Sequence, residues 1–348
     1  MIDQLDGTSL FDKKIFNPHE SHVGAQNLLL GEEPGLFDTV NKRHPTIWSL
    51  YKEQKSLDWD ENEFSYSGSL TDFKNCSRSV YDIMIKTLAW QWEADSIASR
   101  AISSVMSSFI SSSELWAAWQ RISDNEVIHA ATYSEIVRLS FPNPQEVKAE
   151  VLRVREAQQR LSHVGQAMHD IYQYSHKYAL GLVENDQDTY NRAFMFPVLM
   201  LALERLQFLA SFAVTFTICD TGLFQPIGKA VQKIAQDEIE IHAELDKEVI
   251  RNELQTPRGQ KAWEMLKPFI QKTYDQIVEV ELWWVDYLFS EGRELVGMTP
   301  ELLKRWVLYC AYDIYTFLGL DDPPGIELVR KNPLKHMERW IDISKTQS

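Results

Sequence analysis

Apolar residues recur three and four positions apart through most of the chain, in blocks parted by a few turn-forming clusters. That spacing lines one face of a helix. It predicts helices over roughly 42–57, 70–110, 112–140, 145–183, 188–219, 226–253, 258–290 and 300–318. Ser69-Leu70-Thr71-Asp72 and Ser111-Ser112-Ser113-Glu114 read as helix starts, the second in capping-box form. Breaks fall at Phe141-Pro142-Asn143-Pro144, around 184–188, at Gln225-Pro226 and around 321–325. No long alternating strand pattern occurs, which leaves room only for a short hairpin near 295 or 322. The expectation is one all-α domain over 1–348, with a core bundle of long helices. Residues 1–40 form an irregular N-terminal arm, and 320–348 a C-terminal segment.

Composition narrows the chemistry. Hydrophobic residues make up 44% of the chain, ample for a large core, and Gly is only 14 of 348. Gly-rich phosphate loops and a turn-rich β fold are therefore disfavoured. No GxGxxG or P-loop pattern is present. A net charge of −15 argues against nucleic-acid binding and against docking on anionic lipid. Cys76, Cys219 and Cys310 show no CxxC spacing, which fits a reducing, cytoplasmic setting and excludes a cysteine zinc ribbon. The acidic N-terminus lacks the apolar core of a signal peptide. The apolar run 193–219 has membrane-spanning length, but Glu204, Arg205 and Gln207 lie at its centre. It reads as a buried bundle helix, with no membrane partner.

Against that background a few charged residues stand out. Trp119, Ile122, Glu126, His129 and Tyr133 follow the spacing of one helical stripe. Its other members are apolar or aromatic, so Glu126 and His129 face a core. Glu204 shares a stripe with Phe208 and Phe212, Glu238 with Ile234 and Ile241, and Asp95 follows Trp92 in an apolar stretch. An uncompensated buried carboxylate costs several kcal/mol, on the order of the desolvation penalty of an ion. A divalent metal removes that cost. Asp95, Glu126, His129, Glu204, Glu238 and His242, from four helices, form the ligand set of a di-iron or di-manganese carboxylate centre in a ferritin-like bundle. Hard carboxylates with imidazole suit Fe or Mn. Singly, each residue also admits a plain structural reading, as a capped or paired core acid. The conjunction carries the argument.

Ala94-Asp95-Ser96-Ile97, Glu126-x-x-His129-x-x-x-Tyr133, Ala202-Leu203-Glu204 with Phe208 and Ser211-Phe212, and Ile234-Ala235-x-Asp237-Glu238 occur in that order. Asn332-Pro333-Leu334 and Trp340 follow. Together they resemble the small, radical-generating subunit of class I ribonucleotide reductase, from about residue 25 to 340. The resemblance implies that Asp95, Glu126 and His129 bind one metal and Glu204, Glu238 and His242 the other. It implies two iron ions, or two manganese, or a mixed pair. Tyr133 would be the radical tyrosine, walled from water by Phe208, Phe212 and Ile234. Trp59 would be a relay tryptophan, bonded to Asp237, which in turn would bond to His129.

The chain departs from the family pattern twice. Three residues, not two, separate Glu238 from His242. At about 100° per residue, positions three and four apart both return to the same face, and a π-bulge would absorb the extra residue. Glu240, the alternative ligand, would point away from His242. The sequence also stops at Ser348 without the family's docking tail. The activity implied is generation of a tyrosyl radical with O₂ and its transfer to a large catalytic subunit that reduces ribonucleotides. A homodimer is expected, with an activating flavoprotein if the metal is manganese. The rival readings are a self-contained di-metal oxidase of a small or lipid substrate, and a non-catalytic helical protein with a dead site.

Overall fold

The structure, a computed structural model, describes residues 27–31 and 35–341. Most of the N-terminal arm and the last seven residues lie outside that range. The described residues form helices joined by short turns, with no strand among them. Near 295 only an isolated bridge, Leu295 to Met298, stands where a hairpin had room to form.

Twelve helices matter here: α1 (Pro45–Ser56), α2 (Ser67–Asn75), α3 (Arg78–Met106), α4 (Ser113–Ser140), α5 (Pro144–Val151), α6 (Arg155–Ala179), α7 (Gln187–Ala202), α8 (Leu209–Cys219), α9 (Gln225–Asp237), α10 (Ala243–Glu253), α11 (Pro257–Leu288) and α12 (Pro300–Leu318). Two π-helical turns interrupt what are otherwise continuous helices. Leu203–Phe208 joins α7 to α8, and Glu238–His242 joins α9 to α10.

Two expected helices are divided. The stretch 70–110 is α2 and α3, because Ser77 stops the first and caps the second by accepting a bond from the Val80 amide. The expected start at Ser69–Asp72 is a correction. Ser69 lies buried inside α2, and the Asp72 carboxylate accepts the Phe224 amide from across the fold. The stretch 145–183 is α5 and α6, parted by a tight turn at 152–154. The start at 111–114 occurs with Ser112 as cap, accepting from Leu115. Glu114 does not close a capping box. It turns instead to the amides of Arg43 and His44 and fastens α1's entry to α4.

α3 and α4 pack along each other most extensively, α6 lies over α3 and α7, and α11 and α12 close the other side over α7 and α8. The run Gln187–Cys219 is nearly all buried in this core. The two π turns touch each other. Core side chains such as Trp90, Phe208, Phe212 and Ile234 are fully buried, each worth roughly 1.5–3 kcal/mol of transfer free energy. The core therefore places α3, α4 and both π turns around one interior point.

Candidate metal centre

The inward stripe of α4 is as its spacing requires: Trp119, Ile122, Glu126, His129 and Tyr133 are all buried. α3 supplies Asp95, the first π turn Glu204, and the second Glu238 and His242, each buried. These six residues fall into two donor groups. Asp95, Glu126, His129 and Glu238 offer ligand atoms within 4.8 Å of one another, and so do Glu126, Glu204, Glu238 and His242. Glu126 and Glu238 belong to both groups. Glu240 lies in neither group.

The imidazoles are held from behind. His129 Nε2 lies 3.0 Å from Asp237 Oδ2, and His242 Nε2 lies 2.9 Å from Asn125 Oδ1. Each bond makes Nε2–H the donor and turns the Nδ1 lone pair inward. His129 Nδ1 sits 3.6 Å from Glu126 and 3.2 Å from Glu238. His242 Nδ1 sits 3.2 Å from Glu126 and 3.4 Å from Glu238. The π turn between Glu238 and His242 absorbs the extra residue and keeps both side chains on one face.

Yet both oxygens of Asp95, Glu126 and Glu238, Oε2 of Glu204 and Nδ1 of both histidines make no directed hydrogen bond. So many buried, convergent polar atoms without partners are costly unless a cation binds them. The set therefore fits a pair of divalent transition-metal ions. Burial, reinforced by the Glu126 charge, pushes the Asp95 carboxyl well up, and burial with Asp246 does so for Glu204. At Glu126 burial also pushes upward, but the adjoining imidazoles of His129 and His242 hold it down at about 2. His242 is opposed by burial and raised to about 9 by Glu238 and Glu126.

Trp59, packed beneath α1, donates its indole N–H to Asp237 Oδ2 at 2.7 Å, and its ring stacks 6.0 Å from His129. Gln54 donates to the other Asp237 oxygen at 3.1 Å. Burial raises the Asp237 pKa, but the bonds from His129 and Trp59 outweigh it, and the group is held low. Tyr133 is buried, its hydroxyl has no protein partner, and burial with the Asp95 charge raises its pKa well above the phenol range. Phe208, Phe212 and Ile234 are fully buried, with Phe208 and Phe212 stacked at 5.6 Å.

Gln54, Asn125 and Asp246 were not anticipated. Asp246 is buried, and its charge helps push the Glu204 carboxyl up. It lies four residues after His242, so same-face spacing would have found it. Gln54 and Asn125 carry no such signal.

A bundle that aims carboxylates and imidazoles from four helical segments at one buried point has the ferritin-like architecture, with a cluster able to hold metal ions. The chain belongs to the ribonucleotide reductase small-chain family, whose profile matches residues 36–333. It is 24% identical over 334 residues to the ribonucleoside-diphosphate reductase 1 subunit beta of Salmonella typhimurium, covering 92% of this chain and 88% of that one. It is 25% identical over 353 residues to the ribonucleoside-diphosphate reductase subunit beta of Enterobacteria phage T4, covering 94% and 88%. Its fold is similar to that of the ribonucleotide reductase R2 subunit from Clostridium botulinum, with a TM-score of 0.78, 18% identity and coverage of 90% and 94%.

Proposed function

We propose that this protein is the small, radical-generating subunit of a class I ribonucleoside-diphosphate reductase, an oxidoreductase component that works with a large catalytic subunit. The observation that carries the reading is the pair of buried donor groups sharing Glu126 and Glu238. Asp95, Glu126, His129, Glu204, Glu238 and His242 would hold two ions, of iron or manganese. Bound there, the ions would supply, with O₂, the power to oxidise Tyr133.

The surrounding residues prepare that step. A field of carboxylates and a dry pocket keep Tyr133 a neutral phenol. Tyr133 would give its electron to the oxidised metal site and its proton to a base at that site, leaving a neutral phenoxyl that the pocket tolerates. Phe208, Phe212 and Ile234 would exclude water and reductants from it. Asp237 stays ionised under its three donors and is placed to take the indole proton when Trp59 loses an electron. Trp59 and Asp237 thus form a path from His129 toward α1. A self-contained oxidase would have no use for that path. A homodimer, a cytoplasmic location and an activating flavoprotein for a manganese form belong to the same proposal.

The test is electron paramagnetic resonance after metal loading with O₂. A tyrosyl signal should appear, vanish in Tyr133→Phe, and persist in Trp59→Phe while ribonucleotide reduction with the large subunit stops. A signal surviving Tyr133→Phe places the radical elsewhere. No signal under any loading favours the plain oxidase.

A further inference from the structure

Three buried indoles near the centre stand in opposite electrostatic settings. Trp59 has a carboxylate on its N–H. Trp90 of α3 and Trp284 of α11 have no acceptor for theirs. Between these two lies Arg160 of α6, its guanidinium carbon 3.7 Å from the Trp90 ring centroid and 5.0 Å from that of Trp284. Arg160 is fully buried and pinned. Nε and Nη2 each donate to Glu281 at 2.6 Å, Nη1 to Ser211 at 2.8 Å, and Nη2 also to the Gln207 carbonyl at 2.7 Å. Gln207 belongs to the first π turn, and Trp90 packs edge-on against Phe208 at 5.1 Å. A fixed cation thus lies on an indole that adjoins the proposed wall of the Tyr133 pocket.

A cation over an electron-rich ring is attracted while the ring is neutral. The same field opposes the positive charge the ring acquires when it loses an electron. Glu281 accepts from the guanidinium's N–H groups, while the Trp90 ring centroid lies 3.7 Å from the guanidinium carbon, close enough for the cation's field to act on it directly. Burying this ion pair gains little stability over a well-packed apolar pair, which leaves room for another reason to have it.

We propose that Arg160 is a positioning residue that closes Trp90 and Trp284 to oxidation, so that the oxidising equivalent of Tyr133 departs through Trp59. This rests on the radical role proposed for Tyr133. The step it blocks moves one electron from an indole to the Tyr133 phenoxyl, the N–H proton passing to a base beside the indole and the reduced tyrosine regaining the proton it gave up on oxidation, which yields phenol and a neutral indolyl radical. At Trp59 a base is in place for that proton. At Trp90 none is, and the guanidinium disfavours the intermediate charge.

The experiment compares wild type, Arg160→Lys, the paired variant Arg160→Met/Glu281→Leu, and Trp90→Phe, all metal-loaded with O₂. Peptide mass spectrometry reads oxidation at Trp90, and electron paramagnetic resonance reads the lifetime of the tyrosyl signal. Wild type and Arg160→Lys should leave Trp90 intact. The paired variant should oxidise it about tenfold more, equivalent to about 1.4 kcal/mol in the barrier, and shorten the tyrosyl lifetime. Adding Trp90→Phe to the paired variant should restore it. Trp90→Phe alone should leave the lifetime unchanged. Unchanged Trp90 oxidation in the paired variant, or a lengthened lifetime in Trp90→Phe alone, overturns the proposal. Absence of any tyrosyl signal in wild type overturns the Tyr133 reading and this proposal with it, and is a different result from either.

Discussion

Two clusters of charge are buried in this bundle, and they are built on opposite plans. Arg160 with Glu281, Ser211 and the Gln207 carbonyl is closed: each guanidinium nitrogen has a protein partner. The carboxylates and imidazoles around Glu126 and Glu238 are open, most of their oxygens and both Nδ1 atoms converging without a directed hydrogen bond. Burial alone does not mark a site, since both clusters are buried. What separates them is whether the protein completes its own hydrogen bonds. A closed cluster supports its surroundings, whereas an open one requires a ligand.

The comparison breaks most sharply at Glu126. Glu126→Ala removes a donor from both groups and should lower metal content from about two ions per chain to less than one, whereas Glu204→Ala should remove only one. Elemental analysis of loaded protein distinguishes them, and equal loss in both variants would refute the shared-ligand arrangement. In the closed cluster, Arg160→Met alone leaves Glu281 buried without its cation, with only the Gln207 amide on it, and should cost about 3–5 kcal/mol in denaturant unfolding. The paired variant should recover most of that loss. No such rescue is expected from a second apolar substitution in the open cluster, whose proposed partner is an ion.

Acidity sharpens the contrast further. His242 in metal-free protein is raised to about 9, above its unfolded value. Its contribution is fully present below about pH 6.5 and is lost as pH rises through about 9. The raised carboxyls of Asp95 and Glu204 act in the same direction, because the folded state binds more protons than the unfolded. Glu126, held at about 2, opposes them only in acid, where its contribution is lost as pH falls from about 4.3 through that value. Metal-free protein should therefore lose about 3 kcal/mol of stability between pH 6 and 9, and metal affinity should rise over the same interval as protons leave the ligands. Thermal melts with and without metal check both signs. The smallest effect is expected at Asn125. Asn125→Ala frees His242 Nε2 and should weaken one ion about 10- to 100-fold while leaving the other, as read by competition with a chelator.

Much of this was legible before any coordinates. Stripes of apolar residues identified the long helices, and four acids and two histidines on apolar faces were singled out as candidate donors, which the structure brings together in the core. The Glu238 to His242 spacing pointed to a π-bulge, which is what the second π turn provides. The first π turn was not anticipated, because Leu203–Phe208 reads as ordinary helix. Nor was the Arg160–Glu281 pair, whose members are 121 residues apart and share no periodicity. The division of 70–110 was missed because the local polar pattern near Ser69 resembles a cap, while Ser77 is the one that bonds. Local rules found what faces inward. They did not find which inward groups meet.

The central claim is that two ions share Glu126 and Glu238. Anomalous diffraction from crystals of metal-loaded protein tests it most directly. The account predicts two metal peaks in the bundle, one beside His129 and Asp95 and the other beside His242 and Glu204, with both carboxylates touching both peaks. A single peak, or two that do not share Glu126 and Glu238, would contradict it.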